Sequence, residues 1–598
     1  MNNTYLKTAK FIWNKGKIWV LFTILITIIL SLLPIIGIYI TKELINEISN
    51  ILMTEDSDYK LVFILLIIQL LIGTLSSIIE NTKNYIDKKT EFIFEVELKQ
   101  RIIKQATQLP LHHFELPSFY DHFKRINNNM GARFLLPFRN IMQIIQSTLS
   151  MTSYCILLFT IHWSLIFVSL LIAVPVFIIK SKFGSKKFSL FLYQTPIARE
   201  ISYIDYLLGN RDVAKEIRIF NLSNHLLRRW TSKFQTNTKS SLELLKKEQG
   251  ANIFLDLLTG GLYCIAAVII IFVMKFKKLG VGEFIAITQA TQGIQDCISR
   301  ASEVLAKLKE DEFYIKDYFS FVEKDSHSKE SSGNKLFPNS LKAGVSIQDL
   351  SFKYPGSECY SLHNINLYIK PGEKIAIVGE NGSGKTTLIK CLMGLYMPSE
   401  GNIHFDDLDI REIKTDSLRE NITAVFQDFI KYSFTVNENI LFGDLKAKKT
   451  DIKEVALQSG VDSFVKKFKD TYDTRLGKVF EDGEDLSGGQ WQKIAIARAL
   501  LKDRQFFVLD EPSSALDPFA EIELFQKLNE IVGDKTAIFI SHRMFAAKYA
   551  DRIFVMKDGS IIEQGSHSEL MNIDSEYARM YQLQAELYKM EDEPVVIK

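Results

Sequence analysis

The sequence predicts an α-helical membrane domain of six transmembrane helices fused to an α/β nucleotide domain of the phosphate-loop type. Three observations carry this. Apolar runs of membrane-spanning length crowd the chain as far as about residue 305 and then stop. From about Leu341 to Glu586, short apolar strands alternate with helices and are punctuated by glycine. Inside that region Val378, Gly379, Glu380, Asn381, Gly382, Ser383, Gly384, Lys385, Thr386 and Thr387 join a buried-strand pattern, Lys374 to Val378, to a helical one, Thr387 to Met393. At 598 residues the chain exceeds what one hydrophobic core supports. The expected division is a membrane domain over 1–322, a polar linker over 323–340, a nucleotide domain over 341–586 and a tail over 587–598.

Composition excludes some classes. The net charge of +2 averages two unlike regions, and no recognisable nucleic-acid module is present. Cys155, Cys264, Cys297, Cys359 and Cys391 are widely spaced without a CxxC pair, so neither a metal site nor a disulfide framework is expected. The first apolar run is too long for a cleavable signal peptide and is expected to stay as an anchor.

In chain order, Lys7, Lys10, Lys15 and Lys17 mark a cytoplasmic start, followed by a first span at about Ile18 to Ile40 with a kink expected at Pro34. An acidic outer loop, Thr41 to Tyr59, leads to a second span at about Leu61 to Ile79. The basic stretch beyond it places its helices inside, with a breaker and aromatic-rich short helix from Phe114 to Asp121 as a contact point for a partner domain. Spans three and four, about Asn140 to Ile161 and Ser164 to Ile179, are joined by a tight turn at His162 and Trp163. Lys180 to Gly250 reads as a second inner loop, with Arg211, Asp212, Lys215, Glu216 and Arg218 near its middle. A fifth span runs from about Asn252 to Met274.

The sixth span, about Val281 to Val304, differs. Gln289, Gln292, Asp296, Arg300 and Glu303 recur at helical steps and share one face. A charge at bilayer depth costs on the order of 2.5–3.5 kcal/mol, so this face should avoid lipid. It either lines a polar substrate path or pairs internally, as Asp296 and Arg300 can at i, i+4.

In the nucleotide domain the loop glycines allow a tight wrap with N–H groups pointing inward. Lys385 brings a point charge to the β- and γ-oxygens of a triphosphate, and the Thr386 hydroxyl can ligate Mg²⁺. Phe506 to Leu509 forms a buried strand ending in Asp510 and Glu511, placing Asp510 to hold Mg²⁺ and Glu511 to polarise an attacking water as general base.

Between these motifs, Leu486-Ser487-Gly488-Gly489-Gln490 resembles the signature sequence of ABC transporter ATPases. That resemblance implies roles for further residues. Tyr354 matches the aromatic that stacks on adenine. Gln427 matches the glutamine that senses the γ-phosphate and joins the metal candidates. Ser514, Ala515, Leu516 and Asp517 match the loop linking opposed sites, and His542 matches the histidine on the γ-phosphate. It also implies a head-to-tail pair of ATP domains, each ATP held between one phosphate loop and the partner's Ser487 to Gln490. With one ATP domain and six spans, the chain is expected to be a homodimer of the exporter type, its segments near Phe119 and Glu216 acting as coupling helices. Importers usually separate these parts into different chains.

A narrower resemblance, to nisin- and subtilin-type lanthipeptide exporters, rests on Val425-Phe426-Gln427-Asp428-Phe429 with Lys431 and Tyr432, and on Trp491-Gln492-Lys493 after the signature. Most exporters carry a basic residue at the position of Trp491, and Lys478, Val479 and Phe480 lengthen the usual spacing before Leu486. Seventeen residues before the first span leave no room for a folded peptidase, so cargo is expected to leave uncut. The implied function is ATP-driven export of a modified peptide precursor across a bacterial cytoplasmic membrane, with the ATP domain cytoplasmic and modification enzymes as expected partners. Drug or lipid export uses the same fold. An ATP-sensing or immunity role is disfavoured by intact Glu511 and His542, since a sensor needs no turnover.

Overall fold

The computed structural model describes residues 2–54, 58–127, 130–161, 163–211, 213–277, 280–323, 333–502, 504–512, 518–573 and 575–590. The chain divides into two units, residues 1–107 with 121–324 and residues 108–120 with 325–598.

The N-terminal helices are α1 (Asn2–Thr54), α2 (Lys60–Gln108), α3 (Leu111–Phe114), α4 (Pro117–Asn127), α5 (Met130–Ile161), α6 (Ser164–Gly209), α7 (Ala214–Ile219), α8 (Ser223–Lys277) and α9 (Val281–Val322). Six are long. At about 1.5 Å rise per residue each exceeds a hydrocarbon core of about 30 Å, so the apolar runs continue as single helices well beyond the expected spans. Among the described residues α1, α2 and α5 are long and apolar enough to cross a membrane. The expected fourth and fifth spans lie within α6 and α8, whose apolar stretches include side chains outside the described set, and His162 also lies outside it. None of the apolar window of α2 is buried within the chain.

Helix α1 is interrupted at Gly16 (φ −132°, ψ 33°), and Pro34 lies inside the helix. The reason is local packing: a Cβ at Gly16 would lie 3.3 Å from the Phe94 ring, and Trp19 Nε1 donates to Asp87 Oδ1 at 2.7 Å. The face of α9 opposite its polar stripe is built for close approach. Ala286, Ile287, Ala290, Ile294 and Cys297 are buried with Ile38 of α1 and with Tyr154 and Leu158 of α5. A Cβ at Gly293 would sit 2.5 Å from Tyr154 Cε2, so only glycine admits that ring.

The second unit contains two sheets. One is antiparallel, ordered β2 (Leu362–Ile369), β1 (Val345–Phe352), β4 (Glu400–Phe405), β5 (Leu408–Asp409). The other is ordered β10 (Ser560–Gly565), β9 (Arg552–Lys557), β3 (Lys374–Val378), β8 (Thr536–Ile540), β7 (Phe506–Asp510), β6 (Ile422–Val425). Its strands run parallel except β10. β7 and β8 are buried along their whole length, which is why they read as unbroken apolar runs. The helices are α10 (Lys385–Leu392), α11 (Thr415–Asn421), α12 (Val436–Leu441), α13 (Lys449–Gln458), α14 (Asp462–Val465), α15 (Gly488–Leu500), α16 (Pro518–Val532), α17 (Met544–Ala547), α18 (His567–Met571) and α19 (Glu576–Met590).

Two segments depart from the sequence reading. The polar stretch expected as linker is built into this unit from Lys335 onward: Lys335 N–H donates to Glu412 O at 3.0 Å, and Phe337 is buried with its ring 5.1 Å from that of Phe405. One apolar residue outweighs its polar neighbours. The breaker near Phe114 resolves into α3 and the start of α4, with Phe114 and Phe119 rings 4.6 Å apart. Residues 108–120 belong to the second unit, where Leu111 packs on the sheet core and Glu115 lies 3.9 Å from Lys390 Nζ.

Candidate nucleotide-binding site

Strand β3 is central in its sheet, between β9 and β8, so its C-terminal end is where a parallel sheet offers a crevice. There the chain wraps through Gly379, Gly382 and Gly384, all at positive φ (151°, 84° and 97°), into α10. A Cβ at Gly379 would sit 2.2 Å from Met556 O, so the turn is open only to glycine. A cavity of about 640 Å³ opens here, lined by Asn381, Gly382, Gly384, Lys385, Thr386, Thr387, Gln427 and Glu511, together with Tyr360, Ser361, Asp558 and Gly559.

Gly379, Glu380 and Ser383 act through Lys385. Its Nζ donates to Gly379 O and Glu380 O, each at 2.8 Å, and lies 3.5 Å from Ser383 Oγ. Burial lowers the Lys385 pKa, while the Glu511 and Asp510 charges oppose that shift. The ammonium is thus held inside the loop by carbonyls that a phosphate can replace.

β7 delivers the two acids. Asp510 is buried, and desolvation pushes its carboxyl up to about 6, against a hydrogen bond from Thr386 that favours the charged form. Glu511 has a left-handed backbone, φ 50°, a conformation that costs a non-glycine residue roughly 1–2 kcal/mol. Its own N–H donates to Ile540 O at 3.0 Å, and Gln492 Nε2 donates to its carbonyl at 3.4 Å. That turn swings the carboxylate off the strand into the cavity. There Oε2 accepts from Gln427 Nε2 at 2.7 Å, and Oε1 lies 3.0 Å from His542 Nδ1. Three residues widely separated in sequence meet on one carboxylate.

Tyr354 is placed differently from the others. Its ring packs edge-on against Phe352 and Tyr396, 5.0 and 5.4 Å away, and its hydroxyl lies 3.1 Å from Thr387 Oγ1. Among the described residues the aromatic that lines the cavity is Tyr360, which sequence reasoning missed. An exposed tyrosine in a hairpin loop gives no periodic signal. Ser514 to Asp517 lie outside the described residues.

Ser487 to Gln490 lie elsewhere in the unit, at the start of α15. Ser487 Oγ accepts from Gln490 N–H at 3.3 Å, and Gln490 Oε1 accepts from Ser487 N–H at 2.9 Å. The result is an exposed, capped helix N-terminus not used by this chain's own cavity. Behind it, Trp491 is buried among Val436, Ile440, Phe464, Leu476 and Leu486. The residues inserted ahead of the signature form a loop in which Arg475 stacks on Phe480 at 4.4 Å and Gly477 N–H donates to Glu484 O at 2.7 Å.

In the membrane unit Gln289, Gln292, Asp296, Arg300 and Glu303 are all exposed within the chain, on one face of α9. The Asp296–Arg300 ion pair does not form. Arg300 Nε donates instead to the Asp296 carbonyl at 3.3 Å, because the guanidinium folds back along the helix toward Cys297 Sγ. Glu303 is engaged across helices by Lys180 Nζ of α6 at 2.7 Å.

Long membrane-spanning helices joined to a phosphate-loop ATPase that carries its own signature helix define an ATP-driven membrane transporter. Comparison with known proteins agrees. A family model described as ABC transporter matches residues 362–514. The chain is 32% identical to the subtilin transport ATP-binding protein SpaT of Bacillus subtilis, covering 98% of this chain and 95% of that one. It is 30% identical to the nisin transport ATP-binding protein NisT of Lactococcus lactis subsp. lactis, covering 98% and 96%. An ATP-dependent lipid A-core flippase of Vibrio vulnificus is 28% identical over 82% of this chain and 83% of its own. A solved bacterial Atm1-family ABC exporter with ATP bound shares the fold, with a TM-score of 0.78 at 19% identity over 94% of this chain and 98% of that one. The chain belongs to the ABC transporter family, as an exporter-type half-transporter whose ATPase domain binds and hydrolyses ATP.

Proposed function

We propose that this half-transporter is a homodimer that exports a ribosomally made, modified peptide precursor of the lanthipeptide type across the cytoplasmic membrane. The observation that carries the cargo reading is similarity along 98% of the chain to two relatives named for subtilin and nisin transport. One feature supports pairing: the signature helix presents an anion-binding N-terminus that its own cavity does not use. The same reading gives modification enzymes as docking partners, on family resemblance alone.

In this mechanism the loop amides and α10 N-terminus hold the phosphates, and Lys385 exchanges its carbonyl partners for phosphate oxygens. Asp510 and Thr386, already hydrogen-bonded to one another, fit Mg²⁺ with Gln427 as an oxygen donor beside them. Bound by these residues, Mg²⁺ would supply positive charge against that developing on the phosphates. Glu511 takes the proton from the water that attacks the γ-phosphorus as the bond from that phosphorus to the β-phosphate oxygen breaks and ADP leaves, while His542 and Gln427 hold the carboxylate in aim. ATP closes two domains through the partner's Ser487 to Gln490, and that motion switches the spans between inward- and outward-facing states. Cargo follows the polar face of α9.

The test is ATPase rate of the full chain in lipid, with and without a leader-bearing precursor peptide, with Glu511→Gln as the blank. Stimulation by the precursor but not by its leader-free core supports the reading. Stimulation by lipids or hydrophobic drugs alone moves it to the second reading, a lipid or multidrug exporter, which the similarity to lipid A-core flippases favours.

A further inference from the structure

We propose that Tyr360 is the aromatic residue that meets the nucleoside end of ATP, a role additional to that of Tyr354. The loop between β1 and β2 is closed on itself: Ser361 N–H donates to Phe352 O at 2.8 Å, and Ser357 N–H donates to Tyr354 O at 3.0 Å. This closure presents two tyrosines differently. Tyr354 turns inward, its ring against Phe352 and Tyr396 and its hydroxyl on Thr387. Tyr360 lines the same cavity as Lys385, Thr386 and Thr387, and it is the aromatic among the described lining residues.

Tyr360 is also held in place. Its hydroxyl donates to Glu400 Oε1 at 2.7 Å, and its ring lies 5.4 Å from that of His363, yet 38% of the residue remains exposed. A solvated tyrosine loses rotamer freedom for such an anchor, so its ring is prearranged before ligand arrives. A triphosphate seated on the phosphate loop leaves its nucleoside to extend along the remaining cavity wall. Ring-on-base stacking needs only a π-face, and its loss typically weakens binding by about tenfold.

The experiment uses the full-length protein in lipid and two ligands, ATP and inorganic tripolyphosphate, each with Mg²⁺. For Tyr360→Ala the KM for ATP should rise about tenfold, with kcat kept within about twofold and tripolyphosphate affinity unchanged. Tyr360→Phe, which keeps the ring and loses only the Glu400 bond, should restore KM. The proposal is overturned if Tyr360→Ala leaves KM within about twofold of the parent. It is equally overturned if ATP and tripolyphosphate weaken together, since that would mean the residue shapes the phosphate loop. Lys385→Ala should weaken both ligands. If it weakens neither, the assignment of the phosphate loop fails, and that failure is separate from any result at Tyr360.

Discussion

Gln427 Nε2 donates to Glu511 Oε2 at 2.7 Å while His542 Nδ1 lies 3.0 Å from the other oxygen of the same carboxylate. The acid that follows β7 is therefore oriented from both sides before nucleotide arrives. Glu511→Gln keeps the shape and removes the proposed base, so turnover should fall by about 100-fold or more while ATP still binds. Nucleotide retained after gel filtration, set against steady-state ATPase, checks this. Normal turnover would falsify the assignment of Glu511 as base.

Removing one orienting partner should be milder. Gln427→Ala leaves His542 as the partner of Glu511 and should lower kcat by roughly tenfold while ATP affinity changes little. A drop in affinity with unchanged kcat would instead assign Gln427 to ground-state binding.

Asp510 gives a prediction about stability. Its carboxyl is raised on folding from 3.8 to about 6. A raised acid has no effect below the unfolded value, weakens the fold as pH climbs between the two values, and weakens it fully above the higher one. Asp510→Asn should therefore raise the melting temperature of nucleotide-free, EDTA-treated protein at about pH 8 by a few degrees, on the order of 2 kcal/mol, with the gain fading toward about pH 4. An equal gain at both pH values would show that charge burial is not its source.

Trp491→Ala should leave a void in the helical core packed on α15 and destabilise it by about 3–5 kcal/mol. Faster hydrogen exchange across α12 to α15 in the full chain, with the sheet core protected, is the expected pattern. Unchanged exchange in those helices would show that the indole is dispensable.

On α9, Asp296→Asn should reduce export of a leader-bearing precursor from cells, whereas Glu303→Gln should act chiefly through the lost Lys180 contact at 2.7 Å. Full export by Asp296→Asn would remove the polar face from the proposed cargo path.

The phosphate loop was legible because covalent geometry dictates it: the turn from β3 into α10 needs positive φ at Gly379, Gly382 and Gly384, and the sequence displays that need openly. Asp510 and Glu511 were legible as strand-end acids, but the left-handed backbone of Glu511 was not, because nothing in a glutamate announces φ 50°. Trp491 stood out as a departure, yet its burial depends on residues brought together from Val436 to Leu486. The α1 break at Gly16 was not legible, because it goes with the approach of a ring 78 positions along the chain, Phe94, to that backbone. Contacts of this kind belong to tertiary structure, where local propensity yields to packing.

Phe337 has a practical consequence for dissecting the protein. A soluble fragment cut at residue 341 would discard the ring that lies 5.1 Å from Phe405 and leave a hollow beside β4. Cut at residue 333, the fragment would keep both that ring and the Lys335 hydrogen bond to Glu412 O. Eight residues of polar appearance thus separate a fragment with a breached core from one with that corner of its core closed.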